Sequence, residues 1–230
     1  MSLRALIFDV DGTLAETEEA HRQAFNEIFA EAGLAWHWTR DDYAWLLKTT
    51  GGKERMARYR SEVGSGPSDT DIAALHRAKT ARYGEILARG DLALRPGVAE
   101  LVASARAAGL KLAVATTTNL PNVEALTRAC WGRAADDVFD VIAAGDQVAA
   151  KKPAPDVFLL ALARLGLPAG AALAFEDSRN GLNSARAAGL EVLVTPSAYT
   201  ADEDFAGARW VVPDLTRVNL PPMLAAALDG

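Results

Sequence analysis

A short, wholly apolar stretch, Leu6-Ile7-Phe8, runs straight into Asp9-Val10-Asp11-Gly12-Thr13-Leu14, and the next strand candidate comes only at Lys111. Bulky residues ahead of Asp9 suit a central parallel strand buried on both faces, and Gly12 gives the backbone freedom to leave the sheet. One strand cannot stand without neighbours. A sheet begun near Leu3 must therefore resume later, and the long interval between is an insertion.

The interval reads as a small helical bundle. Glu16 to Gly33 carries Ala20, Phe25, Ile28 and Phe29 at helical spacing, and three more helices are expected at Thr39 to Leu47, Lys53 to Val63 and Ser68 to Leu87. Gly51-Gly52 and Gly64-Ser65-Gly66-Pro67 separate them. After Arg89-Gly90-Asp91 the pattern changes: Pro96-Gly97 opens a helix that Gly109 closes, and a strand follows at Lys111 to Ala115. Helix and strand then alternate, with helices at Leu120 to Ala129, Pro155 to Gly166 and Ser178 to Ala188. The strands fall at Val141 to Ala144, Ala171 to Phe175, Glu191 to Val194 and Trp210 to Val212. Such alternation is the mark of an α/β parallel sheet covered by helices. The heptapeptide Ser104 to Leu110 recurs as Ser184 to Leu190, each copy turning a helix into a strand through a glycine suited to the left-handed position. The spacing is no solenoid period.

Composition excludes several roles. The 230 residues are half hydrophobic and carry a net charge of -6 without a Lys/Arg block, which argues against nucleic acid or an anionic membrane as the main partner. Cys130 is the only cysteine, so no intrachain disulfide is possible, and no apolar run approaches membrane-spanning length. Met-Ser-Leu-Arg leads directly into the first strand, leaving no room for a secretory signal. A cytoplasmic, monomeric protein is expected, acting on a small molecule with neither nucleic acid nor membrane as partner.

Chemistry-bearing residues collect where apolar strands stop, the edge at which open α/β sheets bind ligands. Asp9 and Asp11, two apart on an extended chain, face one small volume; their repulsion calls for a divalent cation or a shared proton, although Asp-x-Asp-Gly also serves as an Asx-turn or helix cap. Thr116-Thr117-Thr118-Asn119 offers hydroxyls and amides to a phosphoryl oxygen, or plain helix capping. Lys151-Lys152-Pro153 puts cations ahead of a helix, where an intervening anion would make sense of them and a solvated surface is the alternative. Glu176-Asp177 ends a fourth strand; together with Asp9 and Asp11 it makes an oxygen-rich set suited to Mg²⁺, while Asp177 or Ser178 could instead cap the next helix.

With Asp-x-Asp-Gly-Thr at 9–13, Thr116, Lys152-Pro153 and Glu176-Asp177 in that order, the chain resembles the haloacid dehalogenase superfamily of phosphotransferases over essentially its whole length. The resemblance implies a Rossmann-like core of residues 1–14 and 92–230 with a helical C1-type cap at 15–91. It makes Asp9 the nucleophile and Asp11 the acid/base, with Thr13 positioning Asp11. Thr116 and Lys152 would hold the phosphoryl group with Thr117 and Asn119 beside them. Asp9, the Asp11 carbonyl and Asp177 would bind Mg²⁺, joined by Glu176 directly or through water. Ala15 to His21, Thr49 to Arg55, Thr116 to Asn119 and Lys151 to Asp156 look most like the CbbY-type sugar-phosphate phosphatases, which act on xylulose-1,5-bisphosphate, an inhibitor of Rubisco. Glu16 and His21, just past the first hinge, can meet a sugar hydroxyl, though His21 could equally be a helix histidine; Gly52 and Lys53 at a helix start offer amides and a cation to a distal phosphate, and Lys53 and Lys79 match cap positions that contact it in the related mutases. A β-phosphoglucomutase-like isomerase and a phosphoglycolate or broad sugar phosphatase share these motifs. A response-regulator receiver, the alternative from another class, keeps its paired acids and its phosphorylated Asp on separate strands and has no helical insertion after strand one.

Overall fold

The computed structural model describes residues 3–90 and 92–229. The chain divides into two compact units, one formed by the residues up to Glu16 and from Leu92 onward, the other running from Thr17 to Asp91. Ala15 and Glu16 thus go with the sheet: Ala15 bridges Leu94, and the Glu16 carboxylate lies 3.4 Å from Arg95 Nε.

In chain order, β1 (Ala5–Phe8) precedes the four helices of the second unit, α1 (Glu18–Glu31), α2 (Arg40–Leu47), α3 (Gly52–Val63) and α4 (Asp69–Ala88). Thr39 and Ser68, expected as first helical residues, are caps: each hydroxyl accepts the N–H of the third residue on, and Asp42 or Asp71 reaches back. An aromatic cluster fills this unit. Trp38 and Tyr43 are fully buried, with Phe25 and Phe29 4.6 and 4.9 Å from the Trp38 ring, and Trp36 meets Tyr59 edge-on at 5.1 Å. Large rings give a small helical unit much buried apolar area from few residues.

The sheet unit continues with α5 (Val98–Ala107), β2 (Lys111–Ala115), α6 (Leu120–Trp131), α7 (Ala135–Val138), β3 (Val141–Ala143), α8 (Asp156–Leu165), β4 (Ala172–Glu176), α9 (Arg179–Ala187), β5 (Glu191–Val194), β6 (Trp210–Val211) and α10 (Pro222–Leu228). Its six strands run β3-β2-β1-β4-β5-β6 and every pairing is parallel. Alternate residues of β1 face opposite sides: Ala5 and Ile7 join a core with Phe158 and Leu162 of α8 and Leu182 of α9, while Phe8 stacks on Phe175 at 4.6 Å. Strand order reverses between β1 and β4, the switch point where the carboxyl ends of neighbouring strands leave a crevice.

Candidate active site

Register dictates what meets at that crevice. Phe8 is paired with Phe175, and the Asp9 N–H donates to the Phe175 carbonyl at 2.9 Å, so Asp9 emerges beside Glu176 and Asp177. All three are buried, and each offers a carboxylate oxygen within 4.8 Å of the others. Asp11 follows, half-buried, on the same turn. Two glycines make room. Gly12 has φ +82°, and a Cβ there would fall on the Asp177 carboxylate; at Gly181, in the first turn of α9, it would fall on the Glu176 carboxylate.

Lys152 reaches this cluster from the segment before α8. Its Nζ donates to Asp9 Oδ1 and to Glu176 Oε1, both at 2.6 Å, with the Phe158 ring 5.0 Å away. Burial opposes the ammonium, but Asp9 and Glu176 overcome it and hold Lys152 above the ordinary lysine range. For Asp9, burial dominates and is opposed by Lys152, while Glu176 and Asp11 add like charge; its carboxyl is pushed up to about 8. Burial likewise raises Glu176 against the pull of Lys152. The Lys152 ammonium thus faces the carboxylates of Asp9 and Glu176, with Asp177 in the same cluster and Asp11 adding like charge to Asp9. The donors are all hard oxygens in a confined volume and their charge is under-compensated, which fits Mg²⁺. Glu176 accepts from Lys152 at Oε1 and from the Asp177 N–H at Oε2, and Asp9 accepts from Lys152 at Oδ1 and from Thr13 at Oδ2; each carboxylate oxygen keeps a further lone pair for a cation.

The Thr13 hydroxyl, assigned by resemblance to Asp11, donates to Asp9 Oδ2 at 3.3 Å and so serves the first carboxylate of the pair. Thr116 is buried at the end of β2; its N–H donates to Ala143 and its hydroxyl accepts the Thr118 N–H at 3.2 Å. Thr117 is half-buried, its carbonyl packed where Gly145 lacks a Cβ. Asn119 is the N-cap of α6, its side chain accepting the Asn122 N–H at 3.1 Å. The capping use therefore holds for Asn119, whereas Thr116 sits inside the strand end.

Within the helical unit, His21 and Lys79 are brought together. Lys79 Nζ lies 2.6 Å from His21 Nδ1, and the imidazole stacks on Tyr83 at 3.9 Å. An ammonium can only donate, so a charged Lys79 fixes the His21 proton on Nε2. Gly52 is needed at the start of α3 because a Cβ would come 2.7 Å from the His76 ring. Lys53 is exposed on the same turn. In the sheet unit, Glu16 Oε2 accepts the Ala198 N–H at 3.4 Å.

Sequence reasoning missed three side chains behind the cluster. Thr200 Oγ1 donates to the Asp177 carbonyl at 2.7 Å and accepts the Ser197 N–H at 2.9 Å; both hydroxyl residues are buried. Arg95 bonds the loops after β1 and β5. No local spacing marks any of them.

The haloacid dehalogenase-like hydrolase family matches residues 3–189. Protein CbbY of Rhodobacter capsulatus is 65% identical over 216 residues, covering 94% of this chain and 95% of that protein. A crystal structure of a mutant CbbY from Rhodobacter sphaeroides in complex with xylulose-(1,5)bisphosphate superposes with a TM-score of 0.91 at 55% identity, over 93% of this chain and 95% of that one. A putative β-phosphoglucomutase from Thermotoga maritima gives a TM-score of 0.68 at 26% identity, over 99% and 97%. The chain belongs to the haloacid dehalogenase-like hydrolases.

Proposed function

We propose that this hydrolase removes one phosphate from a small sugar bisphosphate, xylulose-1,5-bisphosphate to xylulose 5-phosphate, through an aspartyl phosphate on Asp9. The reaction class rests on one observation: a buried carboxylate, Asp9, held by Lys152 and Thr13 beside a further acid, Asp11, two residues on. The substrate rests on the likeness to CbbY, whose complex with xylulose-(1,5)bisphosphate shares this fold at 55% identity.

In the proposed cycle an Asp9 oxygen attacks phosphorus in line, forming the Asp9–phosphorus bond as the ester oxygen leaves, and Asp11 gives that oxygen its proton. Asp11, now a carboxylate, takes a proton from the water that attacks the aspartyl phosphate and releases inorganic phosphate. Lys152 orients Asp9 and draws its carboxyl toward the anion against the effect of burial, and Thr116 and Thr117 steady the transferring oxygens. Asp9, the Asp11 carbonyl and Asp177, with Glu176 directly or through water, would hold Mg²⁺, which when bound would neutralise charge at the phosphoryl group. Glu16 and His21 take sugar hydroxyls; Gly52, Lys53 and Lys79 take the distal phosphate.

Phosphate release measured over sugar mono- and bisphosphates, with glucose-1-phosphate isomerisation beside it, tests the reading. Release from xylulose-1,5-bisphosphate should exceed that from monophosphates. Isomerisation without net release would replace it with a mutase. Lys53→Ala should raise KM for the bisphosphate and leave p-nitrophenyl phosphate unaffected; equal losses on both would remove Lys53 from distal recognition.

A further inference from the structure

A guanidinium beneath the site is used for something other than charge pairing. The Arg95 side chain is only 10% exposed; the Glu16 carboxylate, itself 44% exposed, lies 3.4 Å from Nε, and Asp214 feels the same charge from farther off. Its other bonds go chiefly to backbone carbonyls, Nη1 to Gly12 and, at 2.8 Å, to Thr195, and Nη2 to Pro196 at 2.7 Å, with a longer contact of 3.4 Å from Nη1 to the Thr195 hydroxyl. Burying a cation chiefly against peptide oxygens is a costly way to stabilise a fold. The arrangement makes sense if the carbonyls must be held in fixed positions.

Those carbonyls belong to the turns that carry the chemistry. Gly12 directly follows Asp11, and a Cβ on Gly12 would fall on the Asp177 carboxylate. Thr195 and Pro196 begin the loop after β5, whose Ser197 N–H donates to Thr200 Oγ1, which in turn donates to the Asp177 carbonyl. A closed circuit results, running from Gly12 through Arg95, the β5 loop and Thr200 to Asp177 and back to Gly12. Arg95 is itself immobilised: its N–H donates to Leu14 at 2.8 Å, and Gly97, two residues on, packs directly on the Leu215 backbone.

We propose that Arg95 is a positioning residue that sets the Asp11 turn against Asp177, fixing both the acid/base and the cation ligands without touching substrate. The proposal rests on the phosphatase reading above. A planar fork with five donors can span three carbonyls and a carboxylate; the point charge of lysine cannot.

The test compares Arg95→Lys and Arg95→Ala with the natural protein, using p-nitrophenyl phosphate hydrolysis, calorimetric titration with Mg²⁺ alone, and thermal melting. In Arg95→Lys, kcat and Mg²⁺ affinity should each fall ~10- to 100-fold, the range seen when partners behind metal ligands are removed, with the variant still folded. Guanidinium ion should restore part of the kcat of Arg95→Ala, whereas urea, its neutral isostere, should not. Three results would each overturn the proposal: Arg95→Lys with both quantities within about twofold of natural, losses that only track the folded fraction or a failure of both variants to fold, and a folded, impaired Arg95→Ala that guanidinium does not rescue. If the natural protein binds Mg²⁺ but hydrolyses no phosphate ester, the phosphatase reading fails alone, and the Mg²⁺ titration of Arg95→Lys still decides the role of Arg95.

Discussion

Lys152→Met removes the cation between two buried carboxylates while keeping an unbranched side chain against Phe158. In the natural protein Nζ is 2.6 Å from both Asp9 and Glu176, and the three side chains are 4%, 9% and 1% exposed. Deleting one member of a buried ion pair costs roughly 3–5 kcal/mol because the partners lose compensation without regaining water. Methionine restores packing but no charge. Protonation limits the damage: Asp9 is already pushed up to about 8 with Lys152 present, so without it a carboxyl of the cluster takes up a proton near neutral pH. The low end of the range should therefore apply, ~3 kcal/mol in the absence of metal, or about 6–12 °C in the melting temperature of a unit this size.

The assay is a thermal melt of both proteins in chelator and in Mg²⁺. Chelator should show the full loss, and Mg²⁺ should recover part of it, since a divalent cation compensates the same carboxylates. Activity should fall by about 10²–10³ even with Mg²⁺ saturating, because a fixed donor at the transferring group is gone. A melting temperature within about 2 °C of natural in chelator would mean that the Lys152 contacts contribute no net stability, and the electrostatic reasoning about the cluster would be wrong.

Asp9→Asn should abolish turnover in a protein that still melts like the natural one, because an amide cannot attack phosphorus; substantial activity in the folded variant would take Asp9 out of the nucleophile role. Chelator should silence the natural enzyme, and Asp177→Ala should raise the Mg²⁺ concentration needed or eliminate activity, so full turnover in excess chelator would contradict the cation site. Metal-free stability should fall as pH rises from about 5 to about 8: Asp9 is held above its unfolded value of 3.8, so the folded chain keeps a proton that the unfolded chain has lost, a contribution present at low pH and gone once pH passes about 8. Melts in chelator that stay flat or rise across that window would refute this. Carboxyls held low by hydrogen bonds, such as Asp42 and Asp214, act in the opposite direction but only at more acidic pH.

How much was legible depended on where each contact is made. Strands β2 and β5 fall where the apolar pattern places them, because a strand buried on both faces is a contiguous apolar run bounded by polar residues. Helix α7 escaped notice because Ala135 to Val138 is a single turn without a periodic face, and α10 because Pro222 to Leu228 is too short and alanine-rich to show one. Asp9, Asp11, Lys152, Glu176 and Asp177 stand out as charges interrupting apolar strands or preceding a helix, and the parallel order brings strand ends together. Arg95, Ser197 and Thr200 act through backbone atoms of distant turns: Arg95 to Gly12 spans 83 positions and Arg95 to Thr195 spans 100. A carbonyl has no residue type, so its partner cannot be read from spacing. The contact of Lys79 with His21 depends on how α1 and α4 pack, which neither helix announces alone.

The cluster also explains why these particular glycines are required. Burying several carboxylates around one ammonium works against folding, and a larger side chain at either glycine would have to displace an acid. At Gly12 that acid is Asp177, and at Gly181 it is Glu176, so both positions must lack a Cβ for the oxygens to converge. The packing beneath is correspondingly dense: Phe8 on Phe175 below Asp9 and Glu176, and Phe158 against Lys152. Such packing stabilises the strand ends and prevents them from relieving the repulsion by spreading apart. With movement blocked, the acids can respond only by taking up protons or by taking a cation. Proton uptake would neutralise the nucleophile, whereas a cation leaves Asp9 able to attack. Under the proposed function, the same rigidity that makes the metal-free site unfavourable would therefore select the metal-bound, reactive form.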